Sequence, residues 1–386
     1  MLYNDRMKKI CAFFLCLAAA FAAGCSAPVY RTEYIGTYLG APVSVVLDTH
    51  ALSKARYNTL IQGVKDIFGE IDDLTDPQDI SSDIYAFNVL KAGESVTVSP
   101  LTADILSAAL RIGEISGGAF SVTAYPLVDL WGFSPEKYND ENFDFVPPAE
   151  EEIQRVLPLC DLGNVSLENN VLTKLNFDGV KIDLGGIAKG YAVQKAAEYL
   201  RENGADYGYI SAGTSSIALM KYKEDAEWNF SVRHPRKAST LISFPESDTY
   251  VSTSGDYERY REYGGKKYTH IIDIKTGRPI ENGMMTAAVL GNNSACCDAL
   301  STALSVLGPD GAKEFTEKYL SDYKVFFAYT ENGLNYLYAN VPREEFTVDD
   351  GSFIKNGAFL RRFFNRGYVR PRKSLPPSRA EIFRCF

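Results

Sequence analysis

Residues 181–192 read Lys-Ile-Asp-Leu-Gly-Gly-Ile-Ala-Lys-Gly-Tyr-Ala, and this stretch indicates how the rest of the chain is organised. We expect an apolar strand to end at Asp183, the glycine pair 185–186 to turn the backbone, and an amphipathic helix to begin near Ala188. A glycine turn between a strand and a helix directs backbone N–H groups and a helix N-terminus toward an anionic ligand. The same pattern is also typical of an ordinary tight turn. The stretch alone therefore leaves a phosphate-binding role open.

The composition is that of a folded protein. The chain has 386 residues, of which 46% are hydrophobic and 23% are charged. These values exclude an intrinsically disordered chain, and the length allows one large domain or two ordinary ones. The net charge is −9, whereas nucleic-acid phosphates attract basic surfaces. We therefore expect no nucleic-acid partner.

The first 24 residues predict a lipoprotein signal peptide. The basic segment 7–9 precedes the apolar run 10–23, which is too short to span a membrane as a mature helix. Small residues stand immediately before Cys25, as in a bacterial lipoprotein signal. We expect Cys25 to carry lipid and to anchor the protein to the cell membrane on its extracytoplasmic side, which is the periplasm in a Gram-negative cell. The alternative is an ordinary secretory signal with an incidental cysteine.

Hydrophobic periodicity predicts an α+β fold. Apolar residues recur on one helical face at 53–71, at 101–115, after Ala188 and at 294–307. The segment 207–290 is instead a series of strand patterns without intervening helices, which indicates an antiparallel sheet. We expect largely antiparallel sheets packed with helices in one composite domain.

Residues 25–345 are predicted to form this domain, and residues 27–32 to be a short tether at its start. The segment 346–386 is expected to be a basic tail, because nine Lys or Arg residues follow from residue 355 against one acidic residue. We interpret the tail as a poorly ordered extension. Contact with anionic lipid or with an acidic partner is the alternative interpretation.

The helix predicted at 294–307 carries oxygen-bearing side chains one turn apart. Asp298 and Thr302 stand at positions i and i+4, with Ser301 beside them. A carboxylate and a hydroxyl are hard oxygen ligands suited to Mg²⁺, which also takes substrate phosphate oxygens as ligands. The helix alone leaves a second interpretation open, in which both side chains are merely solvated.

His270 is the candidate for a general base. It is one of three histidines in the chain and lies in a predicted strand between Thr269 and Ile271. A neutral imidazole in this position is able to accept a proton from a hydroxyl nucleophile. A histidine with a purely structural role is the alternative.

Six motifs occur together along the chain in the order of one known family. They are Gly36-Thr37-Tyr38-Leu39-Gly40, Gly118-Ala119-Phe120-Ser121-Val122-Thr123, the run 182–191, Thr253-Ser254-Gly255-Asp256-Tyr257, His270-Ile271-Ile272-Asp273 with Thr276-Gly277, and Asp298-Ala299-Leu300-Ser301-Thr302-Ala303-Leu304. On these residues the chain resembles the ApbE-type flavin transferases, the FAD:protein FMN transferase family, over roughly residues 34–338.

The resemblance implies a flavin site with FAD as the substrate. The residues that it assigns to this site are Leu39, Ala119, Phe120, Ser121, Asp183, Lys189 and Ile272. Three features depart from the pattern of the family. The stretch 211–215, Ser-Ala-Gly-Thr-Ser, replaces a usually more glycine-rich one, and two single positions also differ. Ser121 stands where the family commonly has Asp, and Asp76 lies about where many members have an aromatic residue near the flavin. We include Asp76 among the predicted flavin contacts.

The resemblance also implies a Mg²⁺ site. It assigns the metal to Asp298, to Thr302, to the Ser301 position and to the backbone carbonyl oxygen of Gly186. The predicted helix 294–307 and the glycine turn would then contribute ligands to the same ion.

The predicted function is Mg²⁺-dependent transfer of FMN from FAD to a Thr or Ser hydroxyl of an exported or membrane redox protein, with release of AMP. His270 is the expected base, and Asp298 is the second candidate because it lies close to the metal. One alternative is Mg²⁺-dependent hydrolysis of FAD to FMN and AMP. Another is a lipid-anchored flavin-binding protein without catalysis.

Overall fold

The computed structural model of the chain describes residues 29–223 and 226–357. The predicted signal peptide and Cys25 lie outside these ranges, so both stay predictions. Within the described ranges, no helix is long and apolar enough to cross a membrane.

The described residues form helices interspersed with many short strands. The α-helices are α1 (Lys54–Thr75), α2 (Asp83–Asn88), α3 (Pro100–Ile115), α4 (Tyr125–Leu130), α5 (Pro135–Tyr138), α6 (Glu150–Val156), α7 (Ala188–Glu202) and α8 (Ser294–Tyr319). The strands are β1 (Tyr30–Tyr38), β2 (Ala41–Asp48), β3 (Ser95–Thr97), β4 (Val165–Glu168), β5 (Val171–Lys174), β6 (Gly208–Ala212), β7 (Ser216–Leu219), β8 (Trp228–Arg233), β9 (Thr240–Glu246), β10 (Thr249–Gly255), β11 (Tyr260–Tyr263), β12 (Lys266–Thr269), β13 (Ile272–Asp273), β14 (Arg278–Pro279), β15 (Met284–Gly291), β16 (Lys324–Glu331), β17 (Leu334–Ala339), β18 (Thr347–Val348) and β19 (Ile354–Gly357).

A nine-stranded sheet forms the centre of the fold within the described ranges. Its strand order is β1-β2-β6-β7-β10-β15-β16-β17-β19. Neighbouring strands are antiparallel, apart from the last pair, β17 and β19, which is parallel. The predicted α+β fold with largely antiparallel sheets is therefore confirmed.

Both faces of the central sheet are covered, because successive side chains in a strand point to opposite faces. In β15, Ala287 and Val289 pack into the main core with α1, α3, α7 and α8, whereas Ala288 and Leu290 pack into a second core. The second core lies beneath the small sheet β18-β9-β8. Burial on both faces explains why β15 is apolar along its whole length. Each large apolar side chain buried in this way contributes about 1.5–3 kcal/mol.

A third, aromatic cluster packs beside β13. It contains Trp131, Phe133 and Phe145, with Ile272 among them. The indole N–H of Trp131 donates to the carbonyl oxygen of Gly277 at 2.8 Å. This cluster fixes the segment that carries His270, because the His270 ring packs edge-on against Phe133 with ring centroids 6.3 Å apart.

Two local predictions are wrong. Residues 181–184 form no strand, and the expected tether 27–32 overlaps β1, which begins at Tyr30 and pairs with β2. The predicted end of the helix at Gly308 is confirmed, because Gly308 has φ of 70° and ψ of 175°, a non-helical conformation that glycine adopts without a steric penalty. Helical geometry resumes after Gly308, so α8 consists of two helical segments separated by a kink.

The folded chain continues beyond residue 345, where the sequence predicted the tail to begin. The side chains of Phe346 and Phe353 are buried in the second core. β18 pairs with β9, and β19 extends the central sheet beside β17. The predicted domain boundary thus falls just before two paired strands. Residues 358–386 lie outside the described residues, so a poorly ordered tail there stays a prediction.

Candidate functional site

The backbone before Asp183 forms its hydrogen bonds with a side chain and not with a neighbouring strand. The amide group of Asn88, at the end of α2, donates to the carbonyl oxygen of Ile182 at 3.0 Å and accepts from its N–H at 2.8 Å. The N–H of Asp183 donates to the carbonyl oxygen of Val122 at 3.0 Å. These three bonds satisfy an extended backbone that has no neighbouring strand, and they fix where the Asp183 side chain begins.

Asp183 and Lys189 lie together on the glycine turn. The Gly185 N–H donates to Oδ1 of Asp183 at 3.0 Å, and Nζ of Lys189 donates to the Gly185 carbonyl oxygen. Burial raises the pKa of Asp183, while the positive charges of Lys189 and Arg259 partly offset that effect. The predicted pair of one acid and one lysine is thus brought together at the start of α7.

His270 faces the same group of charges. Burial, Arg259 and Lys189 lower the pKa of His270 to about 4, so its imidazole is neutral near pH 7. Nδ1 of His270 lies 3.1 Å from the carbonyl oxygen of Arg259. A carbonyl oxygen only accepts hydrogen bonds, so Nδ1 carries the proton and Nε2 keeps its lone pair. The residue therefore has the tautomer that a base acting through Nε2 requires.

Asp298 lies on the other side of Lys189, between α7 and α8. It is only 4% exposed, and its Oδ2 accepts the backbone N–H of Gly190 at 3.0 Å. Burial raises its pKa, and the charge of Lys189 and the Gly190 N–H partly offset this. No ion pair within 4 Å joins Asp298 to a cation among the described residues. The solvated-helix interpretation of Asp298 is therefore wrong.

Gly190 makes the contact between α7 and α8 possible. A Cβ atom at this position would lie 2.3 Å from the carbonyl oxygen of Ser294 and 2.8 Å from Cβ of Asp298. Both distances are far below normal van der Waals separation. Only glycine therefore allows the α7 backbone to approach closely enough to donate its N–H to Asp298.

Hydroxyl groups of α8 and β10 form a cluster around Ser301, three residues after Asp298. Oγ of Ser254, near the end of β10, lies 2.7 Å from Oγ of Ser301 and 3.2 Å from Oγ1 of Thr302. Ser301 also donates to the backbone carbonyl of Asp298 at 2.8 Å. The buried hydroxyl of Ser216 lies near Asp298 and lowers its pKa, but it does not reach hydrogen-bond geometry with any group of the described structure.

This donor set fits Mg²⁺ better than a transition metal. The described residues contain no group of three or more His, Cys, Asp or Glu side chains that would hold a metal. A carboxylate with hydroxyl and carbonyl oxygens is instead the kind of set that Mg²⁺ uses when substrate phosphates complete its coordination. The buried carboxylate of Asp298 is only partly compensated by Lys189 and the Gly190 N–H, so a cation beside it would be stabilised.

Gly186 lies against the predicted flavin segment. A Cβ atom on Gly186 would lie 3.0 Å from the ring of Phe120. Ala119 and Phe120 are both buried, and Ser121 caps the short 3-10 helix after it by accepting the Thr123 N–H at 3.2 Å. The loop 119–123 therefore packs on the glycine turn, as the resemblance implied for the flavin site.

The remaining predicted flavin contacts lie at the edges of this group. The N–H of Leu39 donates to Oδ1 of Asp72 at 2.9 Å, which places the β1–β2 turn at the end of α1. Asp76 caps the C-terminus of α1. Burial raises the pKa of Tyr125, and the negative charges of Asp183 and Asp76 raise it further. Ile272 is 7% exposed and packs in the aromatic cluster.

Four residues that sequence reasoning assigned no role now belong to the site. They are Asn88, Gly190, Ser254 and Arg259. Gly190 had a usable signal, because a glycine inside a helical pattern often marks close packing. Ser254 lies in the motif 253–257. Asn88 and Arg259 carry no local signal, since only the fold brings them near Asp183.

The site has two parts, which we name the buried half after the buried Asp298 and the exposed half after the exposed Arg259, although several members of both parts are partly exposed. The buried half comprises Asp298, Gly190 and the hydroxyls of Ser254, Ser301 and Thr302. The exposed half comprises Asp183, Lys189, Arg259 and His270, all of which are partly or fully accessible. An oxygen-ligand pocket beside two cations and a neutral histidine defines a site suited to the chemistry of phosphate esters.

Comparison with known proteins identifies the family. The family model described as ApbE family matches residues 39–327. The chain is 29% identical over 293 residues to the FAD:protein FMN transferase of Vibrio cholerae, covering 75% of this chain and 85% of that protein. It is also 29% identical over 324 residues to the FAD:protein FMN transferase of Haemophilus influenzae, covering 81% and 91% of the two chains.

Solved structures agree with the sequence comparisons. The flavin transferase ApbE from Vibrio cholerae superposes with a TM-score of 0.70 at 26% identity and covers 81% of this chain and 97% of that one. The apo form of the Pseudomonas stutzeri flavinyl transferase ApbE gives the same TM-score and identity over 82% and 96% of the two chains. The chain therefore belongs to the ApbE family and is an enzyme of the transferase class.

Proposed function

We propose that this protein transfers FMN from FAD to a Thr or Ser hydroxyl of an exported or membrane-bound redox protein and releases AMP. The observation that carries the proposal is the grouping of a neutral His270, the cation of Lys189 and the buried carboxylate of Asp298 around one glycine turn. The names of the relatives support FAD as the flavin donor.

The reaction forms one bond and breaks one. The acceptor oxygen attacks the phosphorus atom on the FMN side of the FAD diphosphate, and the bond from this phosphorus to the bridging oxygen breaks. AMP leaves with that oxygen, and the hydroxyl proton passes to a base on the enzyme. His270 is our candidate because Nε2 is unprotonated, and Asp298 is the second candidate.

Lys189 and Asp298 have different electrostatic roles in the proposed reaction. Phosphoryl transfer depends on positioning and on charge neutralisation more than on covalent catalysis by the protein. The ammonium group of Lys189 is held toward the glycine turn by the Gly185 carbonyl oxygen, where it would oppose the diphosphate charge. Asp298, Thr302, the Ser301 position and the Gly186 carbonyl oxygen would hold Mg²⁺, which neutralises phosphate charge and stabilises the leaving group when bound.

Membrane attachment is part of the proposal. The segment 22–25, Ala-Ala-Gly-Cys, supports the proposal that Cys25 is lipidated and that the catalytic domain lies on the extracytoplasmic side. Replacing Cys25 by Ser should release the protein from the membrane fraction while leaving flavin transfer in detergent extracts intact. Membrane retention of the Cys25→Ser protein would contradict the anchor.

Mass spectrometry of a co-expressed candidate acceptor tests the transfer. With FAD and Mg²⁺ supplied, the acceptor should gain the mass of one FMN, and AMP should appear in equal amount. Asp298→Ala should abolish both signals, whereas Asp310→Ala should not, because Asp310 is an exposed residue of α8 that pairs with Lys313. Normal labelling by Asp298→Ala would contradict the assignment of the buried half.

The same assay without acceptor separates transfer from hydrolysis. The exposed half is accessible to water, so hydrolysis of FAD is the competing reaction. AMP release that is as fast without acceptor as with it would identify a hydrolase. Retention of intact FAD in the presence of Mg²⁺ and acceptor would identify a flavin-binding protein without catalysis.

A further inference from the structure

Arg259 has a guanidinium group without a hydrogen-bonding partner beside the exposed half of the site. It directly precedes β11, and its side chain is exposed. Within the described ranges, the guanidinium donates no hydrogen bond and forms no ion pair within 4 Å. The ring of Tyr138 is a neighbouring group, with 5.6 Å between the guanidinium carbon and the ring centroid. Five N–H donors of a permanent cation are therefore available to a ligand.

The guanidinium lies between the β1–β2 turn and the exposed half of the site. A Cβ atom built on Gly40 would lie 3.5 Å from Nη2 of Arg259, so the group lies at the β1–β2 turn beside Leu39. Its positive charge lowers the pKa of Asp183 and of His270, after the effect of burial on each. Arg259 therefore lies near both Asp183, a predicted flavin contact, and His270, the candidate base.

Arg261, two residues further along the chain in β11, provides a comparison. Its guanidinium donates to the Gly132 carbonyl oxygen at 2.9 and 3.1 Å and to the Lys137 carbonyl oxygen, and it packs between the rings of Tyr138 and Phe143. Arg261 is therefore held by the protein itself. The two arginines thus differ in whether the fold provides hydrogen-bond partners for them.

We infer that Arg259 binds the diphosphate of FAD and supplies a second cation opposite Lys189. The inference rests on the proposed function, because it takes FAD as the ligand. A planar guanidinium suits the oxygens of a diphosphate, which it binds through two parallel hydrogen bonds. The backbone carbonyl of Arg259 meanwhile accepts from the N–H of His270 and from Nδ1. The residue that holds the diphosphate thus also orients the candidate base.

Binding assays with FAD and with riboflavin test this role. Flavin fluorescence is titrated with protein in the presence of a chelator, so that FAD is not consumed. We expect Arg259→Gln to weaken FAD binding about 10- to 100-fold, as for loss of a charge-assisted bond, and to leave riboflavin binding unchanged because riboflavin has no phosphate. Arg259→Lys should recover part of the affinity for FAD.

Arg278→Gln is the matched control, because Arg278 is exposed and pairs with Glu150 outside the site. It should change neither affinity. Unchanged FAD binding by Arg259→Gln, or an equal loss for FAD and riboflavin, would overturn the inference and leave the proposed function standing. Failure of the native protein to bind FAD would overturn the proposed function itself.

Discussion

The two halves of the site are built in opposite ways. The buried half lies where α7 crosses α8, and its groups are fixed by backbone contacts such as the bond from the Gly190 N–H to Asp298. The exposed half is assembled from the glycine turn, the first turn of α7 and two loops, and its Arg259 side chain is exposed. A pre-formed oxygen site suits a small ion, whereas an open set of charges suits a large substrate that enters and leaves. The difference indicates that binding and chemistry are separable.

The largest loss of FMN transfer is expected where α7 contacts α8. Gly190→Ala places a methyl group 2.3 Å from the carbonyl oxygen of Ser294, so α7 and α8 must separate. We expect a loss of about 1–3 kcal/mol of unfolding free energy and about a hundredfold loss of FMN transfer, since small displacements of reacting groups are costly. Urea unfolding and the acceptor assay measure the two effects.

Gly69→Ala provides the control for Gly190. A Cβ atom at Gly69, in α1, meets nothing within 4 Å. An exposed helical glycine replaced by alanine should raise stability by about 0.5–1 kcal/mol and leave transfer unchanged. If both alanine variants behaved alike, the close contact of α7 with α8 would not be what positions Asp298.

An intermediate effect is expected where a side chain supports the exposed half. Asn88→Ala removes both hydrogen bonds to the backbone of Ile182, and these groups are buried. We expect a loss of about 2–3 kcal/mol in stability and weaker FAD binding, because Asp183 is no longer fixed. Thermal unfolding and flavin titration measure both quantities. Asn229→Ala, at an exposed position of β8, should lie within about 0.5 kcal/mol of the native protein.

Asn88→Asp refines this test. The carboxylate keeps an acceptor for the Ile182 N–H but loses the donor to the Ile182 carbonyl oxygen. FAD affinity between those of the native and Asn88→Ala proteins would support a positioning role. An unchanged FAD affinity in Asn88→Ala would contradict it, even if stability falls.

The last and smallest predicted effect concerns how the stability of the protein depends on pH, and it comes from His270. Its pKa is about 4 in the folded protein against an ordinary value of 6.5, so the unfolded chain binds more protons between these pH values. Stability is therefore fully present above pH 6.5 and falls as the pH decreases toward 4. His270→Asn should reduce this decline by at most about 3 kcal/mol. Urea unfolding at pH 7, 5.5 and 4.5 measures it.

His50→Asn is the control for the pH experiment, because His50 is exposed. Its stability should decline with pH as steeply as that of the native protein. Equal slopes for the native and His270→Asn proteins would mean that His270 is not held neutral. The candidate base would then lose its support from the structure.

The sequence predicted the helices and the central strands well because their apolar periodicity is local. It also placed Asp298 and Thr302 one helical turn apart, since residues at i and i+4 share a helix face wherever the helix packs, and their role in binding a metal stays a prediction. It failed at 181–184, where the pattern resembles a strand but the hydrogen-bond partner is Asn88, ninety-four residues earlier. It also failed for the environment of Asp298, because burial depends on which second helix packs against it.

Arg259 and Arg261 show the same limit at the scale of three residues. The two residues have the same side chain, yet Arg261 donates to two carbonyl oxygens and the guanidinium of Arg259 donates to none in the described structure. Such differences depend on loops that arrive from distant parts of the chain. No local pattern in a single sequence contains that information.

The most direct test of the account compares two variants in two assays. Asp298→Asn changes the buried half, and Lys189→Gln changes the exposed half. With a chelator present, Asp298→Asn should bind FAD within about threefold of the native protein but lose FMN transfer when Mg²⁺ is supplied, whereas Lys189→Gln should lose FAD affinity about tenfold or more. Equal loss of FAD affinity in both variants would contradict the division of the site into a binding half and a chemical half.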